Sequence, residues 1–150
     1  INLLFLLVFI LFVTGCNSNK TKEVRTLGEF QNISINNGFS VSDNMESYQD
    51  KDYITGSMIA SLDDITIEMV TYDKSENAKK TQDKHVTVFN TMKGSGAIIN
   101  KDKGKNYYKY SMVSNGYYMV SMRVDNTLIF SKTQVENKEK VENVLNELDY

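Results

Sequence analysis

Three kinds of side chain in this sequence could do chemistry by type and spacing: a lone thiol, a lone imidazole, and a set of tyrosines around an arginine. The thiol is Cys16, the only cysteine, at the end of an apolar run in which every residue from Leu3 to Val13 is Leu, Phe, Val or Ile. Thr14 and Gly15 separate that run from the cysteine. Small residues before a bond let a peptidase approach an extended backbone, so the bond between Gly15 and Cys16 is a candidate cleavage point. The imidazole is His85, the sole histidine. It shares a helical stripe with Ala78, Val88, Phe89 and Met92, where a partly buried packing role is expected rather than that of a base or metal ligand.

Other candidate sites fall short of the chemistry they suggest. With one cysteine and one histidine there is no cluster that could hold zinc, and no thiol nucleophile remains once Cys16 is spoken for. Gly94-Ser95-Gly96 is too short a glycine motif, with no helix start after it, to cradle a phosphate. Asn100-Lys101-Asp102-Lys103-Gly104 has the outline of a calcium loop but puts lysines where carboxylates are needed. Asp63-Asp64 stands between two apolar segments, where aspartate serves a turn. The expectation is therefore no catalytic residue, no metal ligand and no cofactor. A hydrolase acting on wall material would require convergent carboxylates that the sequence does not mark.

The apolar run is too short for the roughly 20 residues that cross about 30 Å of hydrocarbon and suits the h-region of a signal peptide. Val13-Thr14-Gly15-Cys16 resembles the lipobox of bacterial lipoproteins, in which a hydrophobic and two small residues precede the cysteine of a type II signal peptide. The resemblance implies cleavage after Gly15 and transfer of a diacylglycerol to the Cys16 thiol. Two acyl chains anchor persistently where one holds only marginally. The first residue is Ile1, with no Met and no basic n-region before the apolar run, so a truncated start is expected. A composition rich in Asn, Lys, Ile and Tyr and lacking Pro and Trp resembles that of low-GC Gram-positive bacteria, which places such a lipoprotein on the outer face of the cell membrane. Gly116 to Tyr150 also resembles, loosely, the ends of small uncharacterised lipoproteins of Gram-positive bacteria; no activity comes with that likeness.

Removal of residues 1–15 leaves about 135 residues, enough for one domain with a real core. The division expected is a signal peptide over 1–15, a flexible lipidated tether over 16–25 and an α+β domain over 26–150. A formal net charge of -2 argues against nucleic acid as a partner, since no clustered basic face is on offer for phosphates. With the only cysteine outside the domain, stability must come from packing rather than disulfides.

The elements that must position the remaining candidates follow from local patterns. Thr26-x-x-Glu29 is a capping box for a first helix near 27–37, with Gly38 as its stop. Phe39 to Val41 suggests a short strand, and 42–52 a loop. Residues 53–62 read as a strand whose Gly56 marks a bulge or a close backbone approach, and Ile65, Ile67 and Met69 alternate in a strand to Tyr72. A second helix is expected over 75–92, capped by Ser75, and a glycine- and lysine-rich loop over 93–105. Asn115-Gly116 is a type I′ turn signal joining 106–114 to 117–124, and Asp125-Asn126 returns the chain into 127–132. Val141, Val144, Leu145 and Leu148 mark an amphipathic last helix over 135–148. The whole reads as an α+β domain with an antiparallel sheet of five or six strands, a hairpin plus a three-stranded meander, and helices mainly on one face.

With that two-residue turn, Arg123 opposes Tyr108, Ser121 opposes Tyr110, Met119 opposes Met112 and Tyr117 opposes Ser114. One face then carries Tyr108, Tyr110, Met112, Tyr117, Met119, Arg123, Leu128 and Phe130; the other carries Val113, Tyr118, Val120, Met122 and Val124. The first face is too apolar for a solvated sheet. It is either a binding surface, with Tyr108, Tyr110, Tyr117 and Arg123 as contact residues for a surface protein, peptide or glycan, or a face covered by the second helix. The function expected is that of a membrane-anchored, non-catalytic binding lipoprotein, with binding of a small ligand or ion through the 93–105 loop as the alternative.

Overall fold

The computed structural model describes residues 19–150. The lipobox Val13-Thr14-Gly15-Cys16, including the cleavage and acylation positions Gly15 and Cys16, lies outside the described residues. Among the described residues no helix is long and apolar enough to cross a membrane.

The chain forms α1 (Leu27–Asn36), β1 (Ser40–Asp43), a 3-10 turn (Met45–Tyr48), β2 (Ile54–Leu62), β3 (Ile65–Tyr72), α2 (Ser75–Thr91), β4 (Ile98–Lys103), β5 (Tyr107–Ser114), β6 (Tyr117–Val124), β7 (Thr127–Gln134), a 3-10 turn (Val135–Asn137) and α3 (Lys138–Glu147). All strands join one antiparallel sheet in the order β1-β2-β3-β7-β6-β5-β4. The two hairpin systems meet where β3 pairs with β7, for example Met69 opposite Ile129.

The local signals act as their chemistry predicts. The Thr26 hydroxyl accepts the Glu29 N–H at 3.2 Å while the Glu29 carboxylate accepts the Thr26 N–H at 2.8 Å, closing the capping box of α1. Asn115 (φ 54°) and Gly116 (φ 81°) take the positive φ of a type I′ turn. At Gly56 the ladder shifts register, and an added Cβ would collide with Leu27 of α1 and the Thr71 hydroxyl, so bulge and close approach coincide. Ser75 is the first residue of α2 rather than its cap; Lys74 stands there without a side-chain capping bond.

The sheet has seven strands rather than five or six. One edge, β1, matches the short strand expected near Phe39 to Val41; the added strand is the other edge, β4. β4 arises within the stretch read as a 93–105 loop, and its sequence hides it for a physical reason. An edge strand with one partner can leave its side chains in solvent, and lysines there discourage edge-to-edge pairing. Ile98 is 60% exposed, and Asn100 to Lys103 are exposed too.

Helices cover both faces, which corrects the expectation of one. On one face α1 and α3 bury Phe30, Val141, Val144, Leu145 and Leu148 against Ile65, Ile67, Met69, Val120, Met122 and Ile129. On the other, α2 buries Ala78 near Val70 and Leu128, and Phe89 against Tyr110, Met112 and Met119. Val88, expected on the buried stripe, is 55% exposed; Gln82 is buried in that helix instead.

Residues 20–25, expected to be a flexible tether, lie against the domain. Lys105 donates its N–H to the Lys20 carbonyl at 2.8 Å, and Asn106 both accepts the Lys22 N–H and donates to its carbonyl, each at 2.9 Å.

Candidate functional site

The helix α2 runs across its sheet face and leaves a groove on the β4 side. Its walls are Lys79, Gln82 and Asp83 of α2, Lys101 and Lys103 of β4, Tyr108 of β5 and Arg123 of β6, enclosing a volume of about 420 Å³. The cross-strand register Tyr108 to Arg123 sets the aromatic ring beside the guanidinium at the floor.

Gln82 organises that floor. Fully buried, its amide nitrogen donates to the Tyr108 carbonyl at 2.7 Å and the Ser121 carbonyl at 3.1 Å, while its carbonyl oxygen accepts Arg123 Nε at 3.2 Å. One side of the guanidinium is thereby held, and its terminal nitrogens are left for other acceptors. Burial pulls the Arg123 pKa below its ordinary value, countered by the negative charges of Asp125 and Asp83. A guanidinium stays protonated across the accessible range, so the groove keeps this charge. Burial also raises the Tyr108 hydroxyl, with smaller contributions from Tyr110 and Asp83, so the tyrosine is a neutral donor.

The charge balance singles this groove out. Asp83 is its one carboxylate and is paired with Lys79 at 3.1 Å. Among the described residues, no carboxylate lies within 4.0 Å of Lys101, Lys103 or Arg123. The concavity on the opposite face of β4 differs. There Glu142 accepts Lys109 Nζ at 2.8 Å and the Tyr118 hydroxyl, so its central charges are already matched. An arginine fork beside a tyrosine donor and two free ammonium groups suits a carboxylate or phosphate.

A smaller cavity of about 130 Å³ on the far side of α2 contains His85 and Glu68. His85 Nδ1 lies 3.1 Å from Ser121 Oγ, which gives the outline of a serine-histidine-acid set. The roles do not follow. Ser121 is fully buried, and one oxygen of Glu68 is bound by Asn44, Tyr48 and Ser57 at 2.7–2.9 Å. His85 instead packs at 4.6 Å between ring centroids on Phe130.

No family model matches the chain, and no curated protein matches it. Among solved structures it is similar to a GTP binding regulator from Thermotoga maritima, at 22% identity over 83% of this chain and 87% of that one, with a TM-score of 0.48. It is also similar to the extracellular domain of PknH from Mycobacterium tuberculosis, at 8% identity over 88% of this chain and 80% of that one, with a TM-score of 0.35.

Of the four contact residues expected from sequence, the structure brings two together, Tyr108 and Arg123. Tyr110 is only 2% exposed, covered by α2 and donating to Asn90 Oδ1 at 2.9 Å, so it is a core residue and not a contact. Tyr117 stands at the other end of β6, beneath Lys132 Nζ at 4.8 Å from its ring centre. Gln82 was missed. The available signal was a glutamine four residues after Ala78 and seven before Phe89, on the buried stripe of α2.

Proposed function

We propose that this protein is a membrane-anchored, extracytoplasmic lipoprotein, acylated on Cys16 after cleavage at Gly15, whose domain holds the anionic part of a surface protein, peptide or glycan without chemical turnover. The lipobox-like Val13-Thr14-Gly15-Cys16 supports the address. The observation that carries the binding reading is Arg123: a guanidinium held on one side by a buried amide, in a groove whose cations outnumber its carboxylates. Arg123 is half-buried and its terminal nitrogens have no acceptor among the described residues, so its planar fork is available to a carboxylate or phosphate entering the groove. Lys101 and Lys103 belong to the 93–105 stretch, so binding of a small ligand or ion through that stretch would use this same groove.

The two parts are tested separately. Palmitate labelling should mark the wild-type chain and not Cys16→Ala, with the unlabelled form leaving the membrane fraction. Pull-down of the anchored wild type after in-cell crosslinking should recover an acidic partner that Arg123→Ala loses. Equal recovery by both forms would remove the groove from the reading, and a wild-type chain that takes up no label would remove the anchor.

A further inference from the structure

The segment before α1 is fastened along its length. Beyond the bonds at Lys20 and Lys22, Lys22 Nζ donates to the Asp149 carbonyl at 2.7 Å and meets its carboxylate at 3.0 Å. Arg25 donates its N–H to the Tyr150 hydroxyl at 2.9 Å and its Nε to the Leu148 carbonyl at 2.9 Å. At Gly104 an added Cβ would collide with the Lys20 carbonyl, so the segment passes where only glycine leaves room. Cys16 precedes Lys20 by four residues, and an extended chain advances at most about 3.6 Å per residue, so no more than about 14 Å can separate their Cα positions.

Lys20 docks at one end of the sheet, beside the β4–β5 connection and near the Asp125-Asn126 turn, whose Asp125 N–H donates to the Asn106 carbonyl at 2.8 Å. Lys20, Lys103 and Lys105 are exposed there, and none has a carboxylate within 4.0 Å among the described residues. Of the neighbouring acids, Glu23 is paired with Arg25 at 3.3 Å and Asp149 with Lys22. Asp125, Asp102 and Asp73 accept only from neutral donors, Asn106 at 2.8 Å, Tyr107 at 3.1 Å and Asn77 at 2.7 Å, and keep their charge, so the lysines act as individual headgroup contacts rather than as a strongly basic face. We infer that this end is the membrane-contact surface of the anchored protein, held against anionic lipid headgroups by the short link to Cys16 and by its free lysines, with the Asn115-Gly116 turn pointing away. The inference rests on the acylation of Cys16 proposed above. It also constrains the groove. Tyr108 and Arg123 each stand two residues from this end, so the occupant must be reachable at the bilayer surface.

The test uses the full lipidated chain in vesicles of phosphatidylcholine and phosphatidylglycerol. Acylation occupies Cys16, so an introduced cysteine is the only free thiol and can carry a fluorophore. Lys105→Cys reports the docked end. Ser95→Cys reports the far end, where Gly94 donates its N–H to Ser114 Oγ at 2.8 Å. The two ends are roughly 24 Å apart along β5 at about 3.4 Å per residue. A headgroup-attached quencher should reduce emission at position 105 several-fold more than at position 95. Asn106→Ala, which removes both side-chain bonds to the segment, and Lys22→Ala, which leaves the sheet untouched, should each narrow that difference. Equal quenching at the two positions in wild-type protein that floats with the vesicles overturns the orientation while leaving the anchor standing. Failure of the wild type to acquire lipid and float overturns the anchor and the orientation with it.

Discussion

The Gln82 carbonyl oxygen accepts Arg123 Nε at 3.2 Å while the amide of the same side chain donates to the carbonyls of Tyr108 and Ser121. One buried amide thus joins α2 to two strands and aims a cation. Gln82→Ala removes three bonds and leaves buried polar groups unmatched. Stability should fall by about 2–3 kcal/mol, since each unsatisfied buried group costs roughly 1–3 kcal/mol. Urea unfolding measures it, and a loss below about 0.5 kcal/mol, the scale of an ordinary surface change, would contradict the arrangement.

Arg123 itself serves the groove more than the fold. Arg123→Ala should weaken binding of a short polyglutamate probe roughly tenfold to a hundredfold, because hydrogen bonds to charged groups contribute about 1.5–3 kcal/mol. Arg123→Lys should restore only part of it, as an ammonium cannot present the planar fork. Lys140→Ala, on the exposed side of α3, should change nothing. Calorimetric titration at two salt concentrations checks both the ranking and the expected weakening at high salt.

Adjacent tyrosines on one strand face should respond differently to truncation. Tyr110, 2% exposed beneath Phe89 with ring centroids 6.2 Å apart, is core; Tyr110→Ala should cost about 3–5 kcal/mol, as deletion of a buried aromatic does. Tyr108 is half-buried at the groove, so Tyr108→Ala should cost about 1 kcal/mol, the typical effect of a single substitution. Similar thermal shifts for the two would mean that α2 does not cover β5 as described.

His85 gives the fold a mild sensitivity to acid. Burial holds its pKa below the ordinary 6.5, opposed by a smaller upward pull from Glu68. As pH falls, the unfolded chain takes up this proton before the folded one does. The stabilisation is therefore complete above about 6.5 and is lost as pH drops from there toward the folded value. His85→Gln should flatten the slope of stability against pH over roughly pH 5 to 7, the range in which histidine alone titrates normally. Glu29 and Glu76, whose carboxyls are held low by Thr26 and by Lys80, titrate below that window. A slope that persists in the variant would assign the acid sensitivity elsewhere.

Much of the fold was legible because its signals are local. A capping box needs only Thr26 and Glu29, and a type I′ turn only Asn115 and Gly116. That turn in turn sets the register that pairs Tyr108 with Arg123, as the sequence alone implied. The period of α3 is equally self-contained. What the tertiary structure decided is everything that depends on coverage and distant neighbours. Whether a tyrosine on an apolar sheet face is core or contact depends on where α2 lies, and so Tyr110 is buried while Tyr108 lines a groove. Edge strand β4 needs only one partner and can keep solvent-facing side chains, so no alternation betrays it. Gln82 is unremarkable in a polar helix until its stripe meets two sheet carbonyls. Residues 20–25 have no periodicity of their own, and beside the local pairs of Arg25 with Glu23 and Glu29 they are ordered by bonds to residues more than eighty positions away.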